Sequence, residues 1–317
     1  MKKRYLILIL IVLSFISLFI GVSDIKITDI FALNTDKIEV LLISRVPRLL
    51  SIVVAGIGLS ISGLIMQQIS RNKFVSPTTA ATIDFAKLGI LASMLIFTSA
   101  GMMEKMLIAF IFSMVGTVIF MKMTKKIKFK NIVFIPLLGM MLGKVVGSIT
   151  TFFAYKYDLV QSVSSWMEGD LSMIMKGSYE LLFLSIPVVV IAFLYANKFT
   201  IAGMGEDFAV NLGLNYNSVV NIGLAIVALI SAVTIITVGD IPFLGLIIPN
   251  IVTMYLGDNL KNTLYHTALV GPIFLLVCDI FGRVIVFPFE ISIGLTVGVI
   301  GSIIFLYMII RRITNEE

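Results

Sequence analysis

The chain is a succession of apolar runs, most of them near the length that crosses a bilayer, separated by short polar segments. In hydrocarbon no water can satisfy a backbone N–H or C=O, so runs of about 20 residues fold as helices that close their own hydrogen bonds. Only 13% of the residues are charged and 59% are hydrophobic, whereas a soluble domain carries about a quarter charged. With a mean hydropathy of +1.08, the expected fold class is an all-α polytopic membrane protein. It forms one transmembrane domain over residues 1–317 with about ten transmembrane helices.

Lys2, Lys3 and Arg4 precede the first run, Tyr5 to Val22. It has the outline of a signal peptide but the length of a span, and no small-residue cleavage pattern follows, so it is taken as the first helix. Ser23 to Ser44 mixes acids and lysines and is expected to be an aqueous loop, with Pro47 at the start of the second helix. Arg45 and Arg48 stand at its outer mouth, where a lipid-anchoring role is the plain alternative to a functional one. The third helix carries Asp84 and Lys87, spaced to meet on one face and neutralise each other. The fourth ends in Lys122, Lys125, Lys126, Lys128 and Lys130, a basic block of the kind that marks the cytoplasmic side rather than nucleic acid. That block agrees with the basic N-terminus and the closing Arg311-Arg312, so both termini are expected inside.

The fifth helix, Ile132 to Ala154, places Gly139, Gly143 and Gly147 four residues apart, a flat face for a neighbouring backbone. Lys144 lies beside the middle glycine. Residues 156–180 are polar and are expected to form an outer interfacial segment with the only tryptophan, Trp166, at headgroup level. Later spans are expected at Leu181–Tyr195, Val219–Val238, Phe243–Leu256, Leu264–Val286 and Ile293–Ile310. The Phe243 span is short and broken by Gly245, Pro249 and Asn250, and the next contains Asp279 and Arg283 as an i, i+4 ion pair. Between two spans, residues 202–217 form a polar cytoplasmic island. Glu206, Asp207 and Ala209 begin a short amphipathic helix there, and Gly213 follows Leu212, before Leu214, where a C-cap falls.

One cysteine and one histidine exclude a disulfide framework and argue against a zinc site or a Ser-His triad. No phosphate-binding loop is present; the Gly143-Lys144 pair has the wrong spacing and lacks the following Ser or Thr. The chain is therefore expected to be a transport subunit with no catalytic residues, no metal and no cofactor of its own.

Several segments together carry a resemblance: Arg45–Leu50 (RVPRLL), Ser62–Gln67 (SGLIMQ), Gly245–Asn250 (GLIIPN), Asp279–Arg283 (DIFGR) and Ile293–Gly298 (IGLTVG). In order and separation they resemble the permease family of iron-siderophore and cobalamin ABC importers, the type II importers, over almost the whole chain. Phe74–Thr79 (FVSPTT) resembles the branch associated with catecholate siderophores such as petrobactin. The chain departs from the common pattern where Lys73 replaces a proline and Asn250 a histidine. It also departs at the glycine-rich stretch, which here reads Thr78–Asp84 (TTAATID), and at Glu290, near which an arginine is sometimes found.

The resemblance implies ten helices and pairing with a second permease, identical or related, as a dimer around a central pathway. A cytoplasmic ATPase dimer would consume the ATP, an extracellular or periplasmic binding protein would deliver ferric siderophore, and membrane lipid would surround the rest, with no role for nucleic acid. It places ATPase coupling on Glu206, Asp207, Ala209, Leu212, Gly213 and Leu214, and binding-protein docking on Arg45 and Arg48. Gly139, Gly143, Gly147, Gly294 and Gly298 are candidates for adjustable pathway walls. Lys144 either faces an anionic ferric complex, or is paired with a carboxylate or snorkels to the interface. The alternative function is a proton-coupled secondary transporter using Asp84, Lys87 and Asp279.

Overall fold

The computed structural model describes residues 3–21, 35–97, 99, 101–126, 134–167, 169–257 and 259–316. Asp24, Asp29, Lys128, Lys130 and Asp258, and the side chains of Lys125, Trp166, Arg311 and Arg312, lie outside the described residues. The described residues form helices α1 Lys3–Phe19, α2 Thr35–Ile69, α3 Thr82–Ile96, α4 Met102–Lys126 and α5 Phe134–Lys156. There follow α6 Val160–Met167, a 3₁₀ turn Glu180–Leu184, α7 Ser185–Leu194, α8 Ala196–Gly203 and α9 Glu206–Asn211. The last four are α10 Tyr216–Thr237, α11 Leu244–Leu256, α12 Leu260–Val284 and α13 Ile293–Glu316. Six of these helices are long and apolar enough to cross a membrane. A seventh span results if Glu180–Leu194 and Ala196–Gly203, bent by 61°, count as one. With 17, 15 and 13 residues, α1, α3 and α11 are shorter than that.

Helix α2 runs through both main apolar clusters of the bundle, one around Ile52, Ile90, Leu171 and Ile235, the other around Ile65, Phe120, Phe199 and Leu224. Glycine is what lets its neighbours come so near. A Cβ on Gly63 would lie 1.8 Å from the Gly245 carbonyl oxygen of α11, and one on Gly56 would lie 2.7 Å from Pro272 Cα of α12. Pro249 explains the first approach in part: it has no N–H to give the carbonyl four residues back, so the Gly245 oxygen is left for a neighbouring backbone.

Proline also reshapes the start of α2. The sequence suggests a loop to Ser44, yet the helix begins at Thr35, in spite of its charged residues, and passes Pro47 through a π-helical turn at Leu41–Arg45. Pro47 cannot bond the Ile43 carbonyl, which instead accepts from the Lys176 N–H at 3.0 Å. Residues 156–180 do not form one continuous helix. After α6, residues 169–178 form a strap across the helix ends. The Gly169 and Asp170 amides donate to the Asp240 and Val238 carbonyls at 3.1 and 3.0 Å, and Gly169 O accepts from Gly294 N at 3.0 Å. Leu171 and Ile174 point into the core, while Met173 and Met175 are exposed.

Gly63→Leu should therefore prevent assembly, since overpacking alone costs about 1–3 kcal/mol even where neighbours can move. Gly147→Ala, with nothing within 4 Å of the added Cβ, should leave the thermal midpoint in detergent within a degree or two. Equal midpoints for both variants would contradict the packing described.

Candidate functional site

Three polar assemblies interrupt the apolar bundle. The first joins the ends of α1, α2 and α12 to the turn before α13. Arg48 donates to Asp279 Oδ1 from Nε at 3.1 Å and Nη2 at 2.7 Å, and to Glu290 Oε2 from Nη1 at 2.6 Å. Arg283 binds the other oxygen of Asp279, completing the i, i+4 pair legible in the sequence. It also donates to Ser17 O at 3.0 Å, Ile20 O at 2.8 Å and Ser17 Oγ at 2.6 Å. Arg45 donates to Ile20 O, and to Leu18 O at 3.3 Å. The carbonyls that end α1 have no partners within the helix and carry its negative dipole end, so two guanidiniums supply donors and charge together.

Arg45 and Arg48 are thus 8% and 9% exposed, not at an open rim. Asp279 is 3% exposed with both oxygens engaged. Removing one partner from such a buried group costs about 3–5 kcal/mol.

The second assembly lies between α3 and the turn before α11. Sequence spacing suggests an Asp84–Lys87 pair, but Lys87 Nζ reaches Asp240 Oδ2 at 2.7 Å instead. Asp84 sits against α5, where a Cβ on Gly143 would fall 2.3 Å from its Oδ2. The backbone decides between them: the strap holds the Asp240 turn by its carbonyl, beside Lys87. The glycines of α5 divide accordingly. Gly139 faces the Thr79 carbonyl and Gly143 faces Asp84, whereas Gly147 meets nothing. Lys144 is exposed. On α13, Gly294 abuts Gly169 and Asp240, and Gly298 makes only an ordinary contact with Pro242.

The third assembly is the island at 202–217. Gly205 opens α9 with φ +123° and Gly213 closes it with φ +76°, both in backbone regions that side chains disfavour. Gly213 N donates to Val210 O at 2.8 Å and Leu214 N to Ala209 O at 2.9 Å, a glycine C-cap. Asn215 then caps α10 through Ser218 N at 3.1 Å. Glu206 and Asp207 are exposed in the first turn of α9. Ala209 is fully buried in the helical core and Leu214 half-buried, so these two seat the helix rather than display it. Phe208, Val210, Leu212 and, just before them, Met204 are about half exposed. Met204, Phe208 and Val210 do not stand out in the sequence because apolar residues are unremarkable in this chain; the signal lies in their clustering on a polar segment between two apolar runs.

Residues 9–311 match the FecCD transport family. The petrobactin import system permease protein YclN of Bacillus subtilis (strain 168) is 62% identical over 312 residues, covering 98% of this chain and 99% of that protein. The ferric-anguibactin transport system permease protein FatD of Vibrio anguillarum is 40% identical, covering 93% of this chain and 94% of that protein. Among solved structures, an inward-facing conformation of a metal-chelate type ABC transporter superposes with a TM-score of 0.82 at 22% identity, covering 98% of each chain; at that identity the likeness is one of fold.

Lys87→Met should leave Asp240 as an unpaired, largely enclosed carboxylate and lower stability by about 3–5 kcal/mol. Lys144→Met, at an exposed position, should change it by less than about 0.5 kcal/mol. Thermal melts of the two purified variants check the contrast, and similar losses in both would contradict the assignment of Lys87.

Proposed function

The chain belongs to the FecCD transport family, and from that premise we propose that it imports ferric siderophore, of the petrobactin type, as the permease subunit of an ATP-driven ABC importer. The near-full-length identity to a petrobactin permease supports the substrate class. The protein is a multi-pass component of the cytoplasmic membrane and works without an ATPase of its own. In this reading α1, α3 and α11 are spans shortened by their polar flanks and join the seven longer ones, ten in all, with both termini cytoplasmic.

The observation that carries the coupling role is α9. A short helix held between two positive-φ glycines displays Phe208, Val210 and Leu212 beside Glu206 and Asp207 on the water side. An exposed apolar patch rimmed by charge is what a partner protein covers. We assign the cytoplasmic ATPase to it, one per permease, with a second permease completing the pathway. Movement of α9 would pass to α8 and α10, which pack on the second core cluster with α2. An external binding protein delivers the chelate on the opposite face, by way of Arg45 and Arg48.

Two experiments check this. With the ATPase and binding protein in sealed vesicles, ferric petrobactin uptake should require ATP on the ATPase side and survive collapse of the proton gradient. Uptake that follows the gradient at constant ATP would overturn the reading in favour of secondary transport. Glu206→Lys or Gly213→Val should reduce uptake about tenfold, the effect of losing one to two kcal/mol at a contact, while the ATPase still hydrolyses ATP. Normal uptake in both would remove α9 from coupling.

A further inference from the structure

The docking reading of Arg45 and Arg48 meets an obstacle in the structure: both side chains are already bound within the chain. Their contacts are not equivalent. The bonds from Arg48 to Asp279 lie inside, with the carboxylate side chain 1% exposed, whereas Glu290 is 23% exposed and takes only Nη1. Arg283 and Arg45 are turned towards the Ser17, Leu18 and Ile20 carbonyls. Arg283 Nε has no hydrogen-bond partner among the described residues. The partly exposed bond from Arg48 to Glu290 is therefore the one that an incoming carboxylate can take over.

We propose that Glu290 is an internal competitor for docking: it occupies the outward face of Arg48 until an acidic side chain of the external binding protein displaces it. The proposal rests on the docking role given to Arg45 and Arg48 above. Exchange of one carboxylate for another leaves Arg48 paired throughout, so no buried charge is stranded. It also frees the turn that carries Glu290. That turn runs from α12 to α13, held to α12 by Ile291 N on Gly282 O at 3.0 Å. Three residues beyond Ile291, Gly294 donates to the Gly169 carbonyl of the strap, and Gly169 in turn donates to Asp240 O. Asp240 is the partner of Lys87. Release of Glu290 thus reaches the strap and the Lys87–Asp240 pair through a short series of direct contacts, giving the delivered chelate's arrival a route into the bundle.

The test uses the complete permease–ATPase complex and measures the association rate of the binding protein. Glu290→Gln keeps the side chain's shape and removes the competing charge, so association should accelerate about three- to tenfold and depend more steeply on salt. Glu290→Asp, which keeps the charge, should stay near the unmodified rate. An unchanged or slower rate for Glu290→Gln overturns the proposal. So does failure of both Glu290→Gln and Glu290→Ala to assemble, because an exchangeable contact cannot be a requirement for folding. Arg45→Gln tests the underlying reading separately, since it removes a charge but keeps a donor for the α1 carbonyls. Slower association for Arg45→Gln with no acceleration for Glu290→Gln defeats the competitor alone. If neither Arg45→Gln nor added salt alters the rate, the docking role fails and the competitor with it.

Discussion

Asp279 is the point on which one end of this bundle depends. A carboxylate inside an apolar assembly is tolerated only when paired, and this one takes Arg48 on one oxygen and Arg283 on the other. Those two arginines reach outward from it, Arg48 to the turn before α13 and Arg283 to the end of α1. The end of α1, α2, α12 and the turn after it are thereby tied through one acid. Asp279 is a positioning residue: it fixes where Arg48 sits.

Interrupted helices are the second recurring device. Pro47 frees the Ile43 carbonyl for the strap, and Pro249 frees that of Gly245 where α2 comes closest. Irregular backbone within a membrane protein needs such internal partners. Here they seat α2 against the strap at Ile43 and against α11 at Gly63, while Gly294 ties α13 to the strap. The end that carries α9 is built differently: α9 sits between two glycines and rests on Ala209, leaving its apolar side chains uncovered.

Features decided locally were legible in the sequence. The Asp279–Arg283 pair follows from helical spacing, the C-cap at Gly213 from one glycine after an amphipathic turn, and the membrane class from hydropathy. Features decided by contacts between distant segments were not. Lys87 has Asp84 within reach on its own helix, yet it pairs with an aspartate 153 positions away because the strap fixes the Asp240 turn. Arg45 and Arg48 stand where a rim residue would be expected. Nothing in their own neighbourhood announces that α1 ends against one of them and that Glu290 meets the other. The helical start at Thr35 was hidden by its charges, which are tolerated because most of that first stretch is not buried.

The most direct measurement is the coupling energy between Arg48 and Asp279, obtained from thermal or denaturant unfolding of Arg48→Gln, Asp279→Asn and the double variant in detergent. If this buried pair organises its end of the bundle, each single variant is strongly destabilised and the double falls short of the sum by about 1–3 kcal/mol. Losses that add to within about 0.5 kcal/mol would mean that the two residues act independently, and that end would then have to be held by packing alone.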